Sequence, residues 1–396
     1  MKLLIITNLF PSSAEPGRGI FNQQQLAALP DGWRLEVIAP LPWVLRIPGL
    51  PLPPTWRKLA GVPAQETING ITVHHPRYVV IPKVGRWLSG RTFGAAIAPL
   101  VRRRHAQERF DAVLATWAYP DVYGVVRAMR GLGVPVVAKV HGSDVYLAQH
   151  SLWRRRAIRW ALERCAGVIA VSSALKAQLI QFGVPEDKIR VIPNGVDLKR
   201  FRPVERREAR QALRLPLEGR RIVFVGNLVP VKGLGVLVEA MTRLPEDVTL
   251  SVVGDGEQRA ELAGRIKSLG LLGRVTLAGR VPHADIPSWM NAADLVCLSS
   301  ISEGCPNVVV EALACGTPVV GTRAGGISEL IREGENGFLV PIGDVAALAD
   351  ALHRAVTRDW PAERIRETVS RRTWSATAAD LADVVRHAVN GSAGAP

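Results

Sequence analysis

The strongest constraint on the fold of this chain is a repeated alternation of short runs rich in Val and Ile with amphipathic stretches. KLLIIT, RLEVIA, TVHH, DAVLAT, PVVAKV, GVIAVS and IRVIP recur through the first half, and RIVFVG, TLSVVG, VTLAG, DLVCLS, PVVGT and GFLV through the second. Alternating strand and helix signals of this kind predict parallel sheets covered by helices on both faces, and two such sets predict two doubly wound α/β domains. Between the sets lies PNGVDLKRFRP, Pro193 to Pro203, rich in turn formers and flanked by a change in charge balance. It sets domain ranges of 1–195 and 196–373. After Pro361 no strand signal remains. A helical pattern, TWSATAADLADVVRHAV, fills 374–390 and precedes a Gly/Ala-rich stretch, 391–396, expected to be a disordered tail.

A length of 396 residues with 47% hydrophobic content is ample for buried cores in two or three domains. No run reaches the ~18 to 20 consecutive apolar residues of a membrane-spanning helix. The most hydrophobic loop, LPWVLRIPGLPLPP, is broken by Arg46 and several prolines, so the chain is expected to be soluble. The opening MKLLIITNLFPSS has the look of a secretory leader, but its apolar core is short and no small-residue cleavage site follows. A first buried strand is the better reading. Cys165, Cys297, Cys305 and Cys315 lie far apart or inside apolar runs, with no CxxC pair and no zinc-like His spacing. They are expected to be reduced core thiols in a cytoplasmic protein.

The formal net charge of +15 is confined to one half of the chain. Residues 1–200 hold 27 Lys and Arg against 12 Asp and Glu, whereas residues 201–396 hold 23 of each. A positive field restricted to one domain points to an anionic partner there: a membrane surface, an acidic acceptor or nucleic acid. The plain alternative is a solubilising face. Ile81 to His105 and Ser151 to Cys165 combine tryptophans, aliphatics and clustered arginines. Such segments are similar to interfacial helices that meet anionic headgroups, or to domain-surface helices with a basic outer face.

In doubly wound domains ligands bind beyond the carboxyl ends of the strands, so the residues after each apolar run are the candidates. The richest of these stretches is SEGCPNVVVEALACG, Ser302 to Gly316. Pro306 suits the first turn of a helix, and VVVEALACG reads as that helix running to Gly316. The amides of Gly304 to Val308, through Cys305, Pro306 and Asn307, would then form an anion site at a helix N-terminus. Glu303 precedes the helix, and Glu311 lies two turns further on, near the same face. Acceptors on both sides of an anion site suit a nucleotide sugar. Taken singly, Glu303 would serve as a charge favourable to the helix dipole and Glu311 as a solvated position. GNLVPVKG, Gly226 to Gly233, is a glycine-bounded loop with one cation, Lys232, able to neutralise a diphosphate. HGSDVY sets His141 at a strand end beside Gly142, placed to face a cleft. No Asp-x-Asp, HExxH, Walker A or GxSxG occurs, which removes the main support for metal-dependent transfer, metalloprotease, P-loop and serine hydrolase chemistry.

These features resemble glycosyltransferase family 4, retaining transferases of GT-B architecture, over nearly the whole chain. The resemblance rests on Glu303 to Glu311 within SEGCPNVVVEALACGTPVV, and on GGISELI, NGFLV, GRGIFNQQQLAAL, HGSD, IPNGVDLKRF, GDGEQ and AGRVPHADIPSWMNAADLVCLSS. It implies two Rossmann-like domains facing across a cleft, with the C-terminal helix returning to the first. It also implies that Glu303 binds donor-sugar hydroxyls, that Glu311 binds the ribose, and that Arg280 and Val281 lie against the base. His141 would face the sugar, and Gly19 would let the first loop approach the diphosphate. Where the family commonly has Arg, this chain has Asn227 beside the matched Lys232, which suggests a weaker diphosphate clamp or a substitute cation in Arg18. The implied reaction is front-face displacement of hexosyltransferase type, with the departing diphosphate taking the acceptor proton and no metal or other cofactor.

The resulting expectation is a retaining, metal-independent glycosyltransferase that uses a nucleotide sugar, UDP-linked by family preference. Its acceptor would be a glycan or a lipid-linked sugar at the cytoplasmic membrane face, with no nucleic acid involved. The rivals are an epimerase or phosphorylase on the same architecture and a basic nucleic-acid-binding protein. None of them accounts for the paired glutamates.

Overall fold

In the computed structural model the described residues are 1–43, 54–80, 87–149 and 151–393. Much of the hydrophobic loop, the start of the Ile81 segment and residues 394–396 therefore lie outside the described residues. The chain forms two compact units: Met1–Pro193 with the helix Trp374–Ala393, and Asn194–Thr373.

The first unit is built on an eight-stranded sheet. Its strands are β1 (Lys2–Ile6), β2 (Arg34–Ile38), β4 (Gln65–Ile68), β5 (Ile71–His74), β7 (Ala112–Thr116), β8 (Val136–Val140), β9 (Gly167–Ala170) and β10 (Ile189–Val191); β3 (Leu41–Trp43) and β6 (Arg77–Val79) pair separately. The order is β10-β9-β8-β7-β1-β2-β5-β4. Strands β1, β7 and β8 are apolar but for Lys2, Thr116 and Lys139, because both sheet faces are covered, which is why they read as nearly continuous hydrophobic runs. One pairing departs from the all-parallel expectation. Strands β4 and β5 run antiparallel, from Gln65 opposite His74 to Ile68 opposite Ile71. Asn69 and Gly70 join them, both at positive φ, the geometry of a tight hairpin turn.

The second unit holds six parallel strands: β11 (Arg220–Val225), β12 (Val248–Val253), β13 (Val275–Gly279), β14 (Leu295–Leu298), β15 (Val319–Thr322) and β16 (Gly337–Val340). Their order is β13-β12-β11-β14-β15-β16, so the direction of winding reverses between β11 and β14. That reversal is the point at which the loops diverge and leave a crevice.

The helix Trp374–Ala393 packs on the helix Ile20–Ala27 and on β7, β8 and β9. It buries Ala378, Leu381, Ala382 and Val385 completely. A polar interlock anchors it. Lys139 Nζ donates to Gln25 Oε1 at 2.5 Å, and Gln25 Nε2 donates to the Thr377 carbonyl at 3.1 Å. This helix runs three residues into the stretch expected to be a disordered tail, since Gly391–Ala393 continue it. Cys165, Cys297 and Cys315 are buried thiols, but Cys305 is only half-buried, because it lies in the open loop before a helix rather than in a core run.

Candidate active site

The site of the second unit forms from the loops that follow β11 and β14, the two strands at the winding reversal. The chain leaves β11 at Gly226, and Leu228 ties the loop to the end of β12 through Asp255 and Gln258. The loop then turns through Pro230–Lys232 to Gly233, whose φ is +62°. A Cβ at Gly233 would stand 2.2 Å from the Ser299 carbonyl oxygen, so only glycine lets the two loops touch. Ser299 Oγ donates to the Lys232 carbonyl at 3.0 Å, and Ile301 N–H donates to the Val231 carbonyl at 2.8 Å. The two loops are thus stitched into one piece.

That stitching brings Lys232 and Glu303 together. Lys232 Nζ lies 2.5 Å from Glu303 Oε1, with both side chains mostly sheltered. Ser300 Oγ donates to the same oxygen at 2.7 Å, and the Ser300 carbonyl is itself held by Thr322 Oγ1. Among the described residues no donor reaches Glu303 Oε2. One carboxylate oxygen is fixed and the other remains available to a ligand hydroxyl.

The helix Asn307–Ala314 begins four residues later. Pro306 is its N-cap, with ψ of 106°, rather than a residue of its first turn as the sequence suggested. The correction is local. Proline has no N–H to offer in either place, and the amides of Asn307 and Val308 still open the helix, unmatched by carbonyls of the preceding turn. Gly304 and Pro306 are buried, whereas Cys305, Asn307 and Val308 are half-buried. Asn307 is held by Asn194, which donates to its Oδ1 at 2.8 Å. The helix ends at Cys315, and Gly316 follows at φ of 75°.

Glu311 sits one turn into this helix. It is neither solvated nor alone: its side chain is 14% exposed, and Oε1 lies 3.2 Å from His283 Nε2. His283 comes from the loop after β13, two residues beyond Val281. Val281 packs on the core of the second unit, while Arg280 is exposed. His283 is not among the residues singled out by the sequence motifs. The available signal was its position in a strand-end loop, within the same GRVPHADI stretch that yielded Arg280 and Val281. Asn227 is exposed at the start of the β11 loop. Lys232, Glu303, Gly304 to Val308, Glu311, Arg280, Val281 and Asn227 therefore all lie at the carboxyl ends of β11, β13 and β14. Among the described residues no cluster of three His, Cys, Asp or Glu is placed to hold a metal ion.

His141 and Gly19 belong to the first unit. Gly19 caps the helix Ile20–Ala27 at φ of 61°, and a Cβ there would meet the Leu9 carbonyl oxygen at 2.2 Å. It permits close approach of the helix to the loop after β1. His141 follows β8 and packs against Phe21 with ring centroids 4.8 Å apart. Burial, and next the charge of Lys139, hold the pKa of His141 well below the ordinary histidine value, so the ring is neutral. The acid of HGSD is a staple. Asp144 accepts from the backbone amides of Ala118, His141 and Gly142, tying the loop after β8 to the loop after β7. Arg18, suggested as a substitute cation, donates to the Asn8 carbonyl and pairs with Glu15 at 2.9 Å.

Two Rossmann-like sheets with this strand-end site make up the GT-B architecture, and the chain belongs to the family 4 glycosyltransferases. Residues 27–200 match the pattern described as Glycosyltransferase Family 4, and residues 205–372 match that described as Glycosyl transferases group 1. TuaC of Bacillus subtilis, whose description assigns it to teichuronic acid biosynthesis, is 32% identical over 378 residues, covering 93% of this chain and 94% of its own length. The 2-deoxystreptamine glucosyltransferase of Streptomyces kanamyceticus is 32% identical over 292 residues, 70% of this chain and 74% of its own. Among solved structures, Anabaena HepE in complex with UDP-glucose superposes with a TM-score of 0.73 at 25% identity, covering 98% of this chain and 99% of its own.

Proposed function

We propose that the protein is a retaining, metal-independent glycosyltransferase that moves a hexosyl group from a nucleoside diphosphate sugar, UDP-linked in preference, to a lipid-linked or polysaccharide acceptor in cell-surface glycan assembly at the cytoplasmic membrane face. The observation that carries this reading is the Lys232–Glu303 pair at the winding reversal, beside the opening amides of the helix Asn307–Ala314. A diphosphate suits the lysine and the helix N-terminus together. Sugar hydroxyls suit Glu303 Oε2, and a ribose suits Glu311.

Lys232 neutralises Glu303 across the two loops. A donor exchanges the partners: the diphosphate takes the ammonium and the sugar hydroxyls take the carboxylate. Charge that develops on the departing diphosphate is then met by Lys232 and by main-chain dipoles already aimed at it. The acceptor oxygen bonds to the anomeric carbon on the face from which the diphosphate leaves. The acceptor proton passes to the departing phosphate oxygen, so no separate base is required. The likeness to HepE with UDP-glucose supports a uridine donor, and the likeness to TuaC supports a surface polymer.

Binding of UDP, GDP and ADP to the wild type and to Glu311→Ala, with a chelator present and at moderate salt, tests the reading. The expected result is metal-free binding of UDP, weakened about tenfold by the substitution, in line with loss of a charged hydrogen bond to ribose. Absence of binding by all three diphosphates would overturn the donor site. Turnover of a donor without any acceptor would point instead to an epimerase.

A further inference from the structure

The first unit displays a surface that the donor chemistry does not use. Four rings from neighbouring elements form a ladder: Trp153 lies 5.4 Å from Tyr119, Tyr119 lies 5.7 Å from Tyr123, and Tyr123 lies 5.1 Å from Trp160, centroid to centroid. Guanidinium groups cover it. Arg127 lies over Tyr123, Arg130 and Arg164 over Trp160, and Arg91 over Trp87 beside the ladder. These four arginines are exposed, and among the described residues none lies within ion-pair distance of a carboxylate. An arginine held by a ring stays oriented while its charge still faces outward.

Three of the four rings, without Trp160, wall a cavity of about 320 Å³, lined by Trp87, Arg91, Tyr119, Tyr123, Trp153 and Ala157. Tyr119 Oη donates to the Trp87 carbonyl at 2.7 Å and accepts from Gly90 N–H at 3.0 Å, which fixes its ring in the cavity wall. Trp87 and Trp153 of its lining are 51% and 41% exposed; Leu152, next to Trp153 in the chain, is 69% exposed, and Leu147, which lines a neighbouring pocket with Tyr119 and Arg154, is 56% exposed. The nearby acids face inward. Asp121 and Asp144 are buried and bound to backbone amides, and Glu163 is taken by Arg159 at 2.7 Å.

We propose that this face, formed by the start of the helix Ser89–Gln107, the helix Tyr123–Ala128 and the helix Leu152–Glu163, docks on an anionic lipid bilayer. The arginines meet lipid phosphates, while Leu147, Leu152, Trp87 and Trp153 enter the boundary between headgroups and acyl chains. Exposed aromatics and aliphatics encircled by cations are the composition of an interfacial surface. A nucleic acid would use the arginines but would have no use for two exposed leucines. The assignment also sets the basic surface apart from Arg102–Arg104, one of two Arg-Arg-Arg runs in the sequence; the other, Arg154–Arg156, lies on the helix Leu152–Glu163 of the proposed face. Arg104 is bound to both carboxylate oxygens of Glu36, at 2.7 and 3.0 Å, and lies roughly 20 Å along the helix from Arg91.

The test is co-sedimentation of the full chain with phosphatidylcholine vesicles, with and without phosphatidylglycerol. The wild type should bind only the anionic vesicles. Arg127→Glu/Arg130→Glu/Arg164→Glu should weaken binding at least about tenfold. Leu147→Ser/Leu152→Ser should weaken it several-fold at unchanged charge. Arg102→Glu/Arg103→Glu, at the far end of the helix, should stay within about twofold of wild type. No binding by the wild type would overturn the proposal. So would equal loss in the far-end variant, which would mean net charge alone. Indifference to the leucine changes together with displacement by an oligonucleotide would also overturn it, as the mark of a polyanion surface. UDP binding measured on the same variants keeps failure of this surface distinct from failure of the donor site.

Discussion

The two units share a doubly wound build but hold their charged groups differently. Both units pair acids with bases across elements, Lys232 with Glu303 and Arg210 with Asp294 in the second and Arg104 with Glu36 in the first, and the second seats only Arg354 and Arg358 on rings among the described residues. In the first unit several arginines rest on aromatic rings, and the buried acids Asp121 and Asp144 are satisfied by backbone amides. The balance of 23 against 23 after residue 200, and of 27 against 12 before it, is the compositional shadow of that difference. A paired charge is a closed circuit that a ligand must open. A ring-held charge is already turned toward whatever arrives from solution.

The comparison is tested hardest at Glu303. Glu303→Gln keeps the shape but removes the charge that holds Lys232, and turnover, read as UDP release from a UDP-sugar, should fall roughly 10²- to 10³-fold. A loss below tenfold would mean that the pair is not the transfer centre. Stability separates the units next. Arg210 is 3% exposed, pairs with Asp294 at 2.8 Å and donates to the carbonyls of Ala292, Leu217 and Gly219. Arg210→Ala strips Asp294 of one of its two arginine partners and leaves three carbonyls without their donor, and should cost about 2–4 kcal/mol in urea unfolding. Arg127→Ala, which loses a ring contact at the surface, should cost under about 1 kcal/mol. Equal losses would erase the distinction. Lys232→Met should weaken UDP binding about tenfold or more, roughly 1.4 kcal/mol, and Lys232→Arg considerably less.

The smallest effect concerns pH and belongs to the first unit. His141 has its pKa held well below the ordinary value of 6.5, by burial first and Lys139 second. Between the two values the unfolded chain binds a proton that the folded chain refuses, so its share of stability is intact above about pH 6.5 and is lost as the pH falls. His141→Gln should make the acid-side decline shallower, by at most about 1.4 kcal/mol per pH unit. Asp121 and Asp144 act in the opposite sense. Burial raises both, so the folded state keeps protons that the unfolded chain releases above about 3.8, and stability falls as the pH rises through that range. An unchanged acid limb in the histidine variant would show that folding does not depress the His141 pKa.

Sequence patterns revealed strands wherever both faces of a sheet are covered, because burial on both sides makes a run continuously apolar. They failed where burial is one-sided or slight. Strand β4, QETI, alternates half-buried with exposed residues and contains Gln and Glu, yet Asn69-Gly70 beside it was a legible turn signal. The loop and helix around Glu303 were readable because Pro306, the valine run and Gly316 are local marks. The contact of Glu303 with Lys232 was not. It spans 71 residues and depends on β11 lying next to β14, which no local pattern encodes. The partnership of His283 with Glu311 was hidden for the same reason. The excess charge of the first half was countable, but its seating on the rings of Trp87, Tyr123 and Trp160 was not, nor was the capture of Arg104 by Glu36, 68 residues away.

The packing of the helix Trp374–Ala393 on β7, β8 and β9 has a consequence for how the molecule is made and remade. The second unit is an insertion within the first, so translation of the first unit begins before the second and finishes after it. Leu381, Val385 and the interlock at Thr377 leave the ribosome only when all of Asn194–Thr373 has already emerged. Until then a face of the first sheet stays uncovered. For the engineer the asymmetry runs the other way: residues 194–373 form one uninterrupted cassette, exchangeable as a piece, whereas the first unit must be transplanted as two.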